Sequence, residues 1–181
     1  MCQQLDRKAV TMIHTLLCEV PVLPQPATRL PSCVIKQVTC NELSGDDKFN
    51  ELISEYEQES LVDGFPKADL QLNMYRMMEL TGNLHVIAAY IEGELVGFLT
   101  LVVNVLPHSG KSFGTVESYF VAQAHRKHGP GLDLLRAAEW LAEACGAVGL
   151  LVTAPKGGKL ARVMPRAKYK HTHEVFFKGF A

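Results

Sequence analysis

The 181-residue chain has no Cys-x-x-Cys pair, no apolar run long enough to span a bilayer and no excess of charge of either sign. Cys2, Cys18, Cys33, Cys40 and Cys145 are scattered, so neither a zinc site nor a disulfide framework is expected, and the thiols are read as reduced. The pairs His125/His128 and His171/His173 have no further ligands beside them, and no metal is expected. No stretch reaches the roughly 18 apolar residues of a membrane helix. The apolar part of Val10–Val22 is interrupted by His14 and Glu19, and Leu17 stands where an export signal would carry a small residue. A cytoplasmic protein without membrane contact is the expectation. With a formal net charge of -1, the chain lacks the basic excess that displaces counterions from phosphates, so nucleic acid is not an expected partner.

What is present is apolar content of 48%, enough for one domain that buries roughly 70% of its unfolded surface. Charge is unevenly placed: Asn41–Glu94 carries 12 acidic residues against 3 Lys/Arg, and the chain from Lys111 onward carries 11 Lys/Arg against 5 acids. This is read either as two solvated faces or as a basic anion site opposite an acidic approach for a cationic substrate.

Leu5, Ala9, Met12, Ile13, Leu16 and Leu17 recur near helical spacing ahead of the proline-rich Pro21–Pro31. Residues 1–32 therefore read as an appended helix and linker, and residues 33–181 as the main domain. Cys33–Val38 reads as a first strand. Ser44-Gly45-Asp46-Asp47 offers cap chemistry for a helix with the stripe Phe49, Leu52, Ile53 and Tyr56. Gly64 and Pro66 break that helix, and Asp69 can cap a second one carrying Leu70, Met74, Met77 and Met78. These methionines are read as core filler, with a site-lining surface as the alternative.

Leu84–Val105 has the pattern of a hairpin turning at Glu92-Gly93, with a second arm apolar on both faces. Pro107–Gly114 reads as a loop. In the strand after Thr115, strict alternation puts Glu117, Tyr119 and Val121 on one face and Val116, Ser118 and Phe120 on the other. The next helix is expected to bury Leu132, Leu135, Ala138, Leu141, Ala142 and Cys145 and to end at Gly146. Val148–Thr153 reads as a buried strand parallel to the previous one, Pro155–Ala167 as a short basic helix, and Glu174–Phe180 as a last strand. The fold class is α+β (mixed α/β), a mostly antiparallel central sheet with one parallel pair.

Between that strand and that helix lies Arg126-Lys127-His128-Gly129-Pro130-Gly131. Two glycines, fixed cations and a helix-starting proline suit close backbone approach to an anion at a helix N-terminus. Val121-x4-Arg126-x2-Gly129-x-Gly131 resembles the V-x4-[QR]-x2-G-x-[GA] signature of GNAT-type acyl-CoA N-acyltransferases. The order of elements from Cys33 onward is similar to that fold, and GFPKAD, LHVIAAY and LVTAPKGGKLA resemble small GNAT proteins of proteobacteria and their phages.

The resemblance implies a cofactor, acetyl-CoA, and an N-acetyltransferase acting on an amine of a small molecule or protein. Its parallel strands would splay at the cofactor site. Backbone groups around Lys127, His128, Gly129, Gly131 and Leu132 would wrap the pyrophosphate, with charge from Arg126 and Lys127, and Phe120, Val121 and Ala122 would pair with the pantetheine arm. Glu117 would be the base; its alternatives are solvent or an ion pair with Lys159 or Arg162. The family's usual acid, a tyrosine, aligns with Met164, which leaves Tyr119, Tyr169 or water as proton donor. Glu57, Glu59 and Asp63 attract an amine or are solvated loop carboxylates. Two alternatives remain: a catalytically silent cofactor-binding or regulatory protein, and an acyltransferase acting on nucleic acid or charged tRNA. The sheet edge at Glu174–Phe180 is expected to be open, covered by the N-terminal helix, or shared in a homodimer.

Overall fold

The computed structural model of the chain describes residues 23–25, 32–60 and 69–180. The expected helix at Leu5–Leu17, most of the proline-rich stretch, and Asp63, Gly64 and Pro66 lie outside these residues. The sheet runs β1 (Cys33–Val38), β2 (Leu84–Ile91), β3 (Glu94–Leu106), β4 (Lys111–Val121), β5 (Leu150–Val152), in sequence order. The first four strands are antiparallel neighbours and β4–β5 is the single parallel pair. The β2–β3 hairpin turns where expected, with Glu92 and Gly93 at φ 53 and 85, the paired left-handed conformation that matches strand twist.

Helices cover both faces of the sheet. Between β1 and β2 come α1 (Cys40–Ser44), α2 (Phe49–Ser60) and α3 (Leu72–Leu80), and between β4 and β5 comes α4 (Pro130–Ala144). On the α4 face the core joins Ile35, Ile87, Leu99, Leu101 and Val116 to Leu134, Leu135, Ala138 and Leu141. On the other face Leu84, Val86, Phe98 and Phe120 meet Cys40, Leu43, Phe49 and Leu52. The stretch Leu95–Val102 of β3 is buried throughout because it is central and covered on both sides.

Several local expectations change. The one-turn α1 had no periodicity to reveal it. It is held by a capping box in which Glu42 N–H donates to Thr39 Oγ1 and Thr39 N–H to the Glu42 carboxylate. Gly45 closes α1, and Asp46 starts α2 by accepting from Phe49 N–H at 3.0 Å. Asp69 does not cap α3: the N-cap is Gln71 without a side-chain bond, and the Asp69 carboxylate accepts from the Gln71 amide at 2.7 Å. Met74 and Met77 are exposed at 64% and 61%, not core filler.

In α4 the buried stripe includes Leu134 and Ala137, while Leu132 and the C-cap residue Cys145 are exposed. Strand β4 begins at Lys111, inside the expected loop, and β5 is three residues long and only partly covered. After the short helix α5 (Lys159–Val163), residues 171–180 form no strand, and Val175, Phe176 and Phe180 are 78%, 87% and 90% exposed. At the opposite edge Leu23 is buried, and the Gln25 side chain bonds both backbone groups of Ile35, at 2.9 and 3.2 Å. Part of the stretch read as linker is thus tied to β1. No helix among the described residues is long and apolar enough to cross a membrane.

Candidate active site

Strand β4 carries a bulge at its centre. Thr100 pairs with Ser118 and Leu101 with Val116, so Glu117 is an extra residue facing no partner on β3. The ladder bond lost there is replaced by Ser118 N–H donating to Thr100 Oγ1 at 2.9 Å. The alternation expected from sequence therefore fails at this point. Val116, Tyr119 and Val121 pack on the α4 side, while Glu117 and Ser118 both open toward α2 and α3. Glu117 and Tyr119 do not share a face.

The Glu117 carboxylate is held by one oxygen. Oε2 accepts from Tyr75 Oη at 2.8 Å, Thr100 Oγ1 at 2.9 Å and Ser118 Oγ at 2.6 Å. Among the described residues Oε1 accepts no hydrogen bond, and neither Lys159 nor Arg162 pairs with this side chain. Burial first, and then the Glu117 charge, push the Tyr75 phenol well above its ordinary pKa, so it remains a donor to the carboxylate. Tyr75 and Thr100 were invisible as site residues in the sequence. They reach Glu117 from α3 and β3, and neither stands in a motif.

Glu117 closes one end of a cavity of about 410 Å³ between the sheet and helices α1, α2 and α3. Phe49, Tyr56, Tyr75 and Phe98 line it, with Leu84, Val86 and Met78 on its walls. The rings of Tyr56 and Phe98 lie 6.0 Å apart, edge to face, which gives this wall a fixed shape. Glu57 lines the cavity, whereas Glu59 is turned away to an ion pair with Arg126 at 2.8 Å.

The other edge of β4, toward β5, has a different character. β5 pairs with β4 only across Gly114, Thr115 and Val116, so among the described residues the edge of β4 beyond Val116 has no strand beside it and the parallel strands part there. Ala122 N–H is committed to Val96 O at 2.9 Å; by the antiparallel alternation the N–H of Val121 faces the open edge. The chain then makes a 3-10 turn, Gln123–His128, and enters α4 through Gly129 at φ 87 with no side-chain cap. Leu132 and Asp133 N–H close on the Gly129 carbonyl at 3.1 and 3.3 Å. Pro130 has no N–H, and the Gly131 N–H is left at the mouth of the helix.

Gly131 is required by a close approach within the protein itself. A Cβ there would collide with the Tyr119 hydroxyl. Burial pushes the Tyr119 pKa up to about 12, against the lowering effect of Arg126. The Arg126 guanidinium is occupied: Nε donates to Val121 O and a terminal nitrogen to Glu59, both at 2.8 Å, above the Phe120 ring. The Lys127 and His128 side chains of the turn are exposed.

At the position of the family's usual acid, Met164 is 9% exposed within the α4-side core. Tyr169 follows it and donates to Glu139 Oε1 at 2.7 Å; burial, and then that bond, push its pKa well up.

A mixed sheet parting beside an uncapped helix N-terminus, with a carboxylate-ended cavity on the other face, defines an acyltransferase-type fold. The chain belongs to the acetyltransferase (GNAT) family, whose model matches residues 49–161, more than half of its length. Comparison with curated protein sequences finds no match. Among solved structures it is similar to an aminoglycoside acetyltransferase from an uncultured soil metagenomic sample, solved with sisomicin. That pair shares 22% identity over 82% of this chain and 97% of the other, at a TM-score of 0.63. A ribosomal-protein-alanine N-acetyltransferase from Brucella melitensis biovar Abortus 2308 is similar at 18% identity, 83% and 100% coverage and a TM-score of 0.62. Glucosamine-6-phosphate N-acetyltransferase from Arabidopsis thaliana is similar at 11% identity, 83% and 99% coverage and a TM-score of 0.62. At these identities the structural likeness is one of fold.

Proposed function

We propose that the protein is an N-acetyltransferase that moves an acetyl group from acetyl-CoA to a primary amine by direct attack. The observation that carries this reading is the bulge at Glu117, which turns a carboxylate toward one face of β4 just where its open edge leads to the bare N-terminus of α4. The residues present fit the donor: an unpaired strand edge suits an extended amide-bearing arm, and the Gly129–Gly131 backbone with exposed Lys127 and His128 suits a pyrophosphate. Acetyl-CoA would supply the acyl group as an activated thioester.

An alkylamine with pKa ≈ 10.4 is charged near neutrality, so a base must take a proton before the nitrogen can attack. In this reading Glu117 does so through Oε1, directly or through one water, while Tyr75, Thr100 and Ser118 hold Oε2 still. The new N–C bond forms as the C–S bond breaks, and the departing sulfur is protonated by Tyr119 or by water. A thiol with pKa near 8.5 makes water sufficient. Val121 N–H at the open edge would steady the acyl oxygen.

A second reading, a catalytically silent cofactor-binding protein, draws on Met164 being buried in place of an acid. Calorimetry with acetyl-CoA and a thiol-release assay over an amine panel separate the two. The first reading expects binding and turnover, with Glu117→Gln losing about 10²–10⁴-fold in kcat and keeping cofactor affinity. Binding without turnover on any amine supports the second, and no binding at millimolar acetyl-CoA sinks both.

A further inference from the structure

We infer that the acceptor is a small primary amine on a largely apolar body, an alkyl- or arylalkylamine, and not an amino sugar or a peptide end. This deepens the acetyltransferase reading and rests on it. The cavity that ends on Glu117 runs across the sheet from β4 (Glu117, Ser118) over β3 (Phe98, Thr100) to β2 (Leu84, Val86). Two inter-strand spacings make that path about 10 Å long.

Its chemistry changes along the way. At the β4 end the hydroxyls of Tyr75, Thr100 and Ser118 all point at Glu117 Oε2, so their protons are already used. The carboxylate oxygen Oε1 is the acceptor they leave for an ammonium group. Beyond it the walls are Phe49, Ile53, Tyr56, Phe98, Met78, Leu84 and Val86. At the far end, burial and then Glu79 push the Cys40 thiol up to about 11, so this wall is uncharged as well. The remaining carboxylates, Glu57 and Asp69, lie at α2's last turn and just before α3.

With Glu57 and Asp69 confined to the helix ends, Glu117 beside the apolar walls recognises an amine on a body that needs few hydrogen bonds. A polyhydroxylated sugar placed there would lose its water without replacement, at a cost for every unpaired hydroxyl. A peptide N-terminus would bury amide groups in the same way. The volume, about 410 Å³, falls in the range of roughly 300–1,000 Å³ typical of small-ligand sites.

The test uses the full-length protein and two readouts. Thiol release at saturating acetyl-CoA is followed for butyl-, hexyl- and octylamine, phenethylamine, glucosamine, sisomicin and a short alanine-ended peptide. Calorimetry measures binding of the same amines without cofactor. The expected result is a KM and a Kd that fall about four-fold per added methylene, the equivalent of about 0.8 kcal/mol per buried CH₂, and level off when the chain fills the trough. A higher kcat/KM for glucosamine, sisomicin or the peptide than for octylamine overturns the inference and leaves the acetyltransferase reading standing. A chain-length dependence in binding with no thiol release from any amine supports the trough and sinks the transferase reading. Absence of any chain-length trend in binding overturns the inference whatever the turnover.

Discussion

Gly131→Ala would place a methyl group against the Tyr119 hydroxyl. The next atoms met are Tyr119 Cζ at 3.5 Å and Val121 Cγ2 at 3.8 Å, both ordinary contacts. The phenolic oxygen is therefore the one source of conflict, and it makes no hydrogen bond among the described residues that would hold it in place. Forcing a methyl group into such a contact costs about 1–3 kcal/mol, against a helix-propensity gain of up to about 1 kcal/mol for replacing glycine. In a Tyr119→Phe background the conflict disappears and the propensity gain remains. Gly131→Ala should thus lower stability by about 1–2 kcal/mol in the wild-type background and leave it unchanged or raise it in the Phe background. That is a coupling of about 1–3 kcal/mol in a double-mutant cycle. Urea unfolding of the four proteins measures it, and in thermal melts each kcal/mol corresponds to about 2–4 °C at this chain size. Effects that add to within about 0.5 kcal/mol would refute the steric account. Gly131 would then be kept for its ligand, not for Tyr119.

Further outcomes follow from other parts of the fold. Thr39→Ala removes the capping box of α1 and should cost about 1 kcal/mol in urea unfolding. Burial lowers the pKa of His85 against the raising effect of Glu79, so the unfolded chain binds a proton that the folded one resists. The associated stability is full above about pH 6.5 and is lost as pH falls below it. His85→Gln should flatten the fall in urea midpoint between about pH 7 and pH 5.5, and an unchanged slope would contradict the burial of a neutral imidazole. Truncation after His173 should leave stability within about 0.5 kcal/mol, because residues 174–180 are all exposed; a larger loss would mean that the tail packs on the domain.

Elements set by local chemistry were legible in the sequence. The β2–β3 hairpin follows from Glu92-Gly93, the start of α4 from Gly129-Pro130 and its end from Gly146, each a backbone requirement written in one or two residues. What was not legible depends on partners. The bulge at Glu117 belongs to the pairing of β3 with β4, and no feature of either strand alone announces it. Glu174–Phe180 has a strand's composition, but a strand also needs a neighbour, and β5 is only three residues long. The candidate base was found through the motif four residues beyond it. Its face, and the hydroxyls that hold it, required the three-dimensional contacts of Tyr75 and Thr100.

The extra residue in β4 also sets what kind of change the strand can absorb. Before it, side chains alternate in one phase; after it, in the other. Removing Glu117 would leave Val116 paired with Leu101 and Ser118 with Thr100 in an unbroken ladder, and would turn nothing downstream. Tyr119 and Val121 would stay on the α4 side and Phe120 beside Tyr56, so the phenol at Gly131 and the aromatic wall would both survive. The extra residue is therefore not needed by the sheet: its effect is to set a carboxylate beside Ser118 on the cavity face, and a strand one residue shorter would keep its pairing and lose only that group.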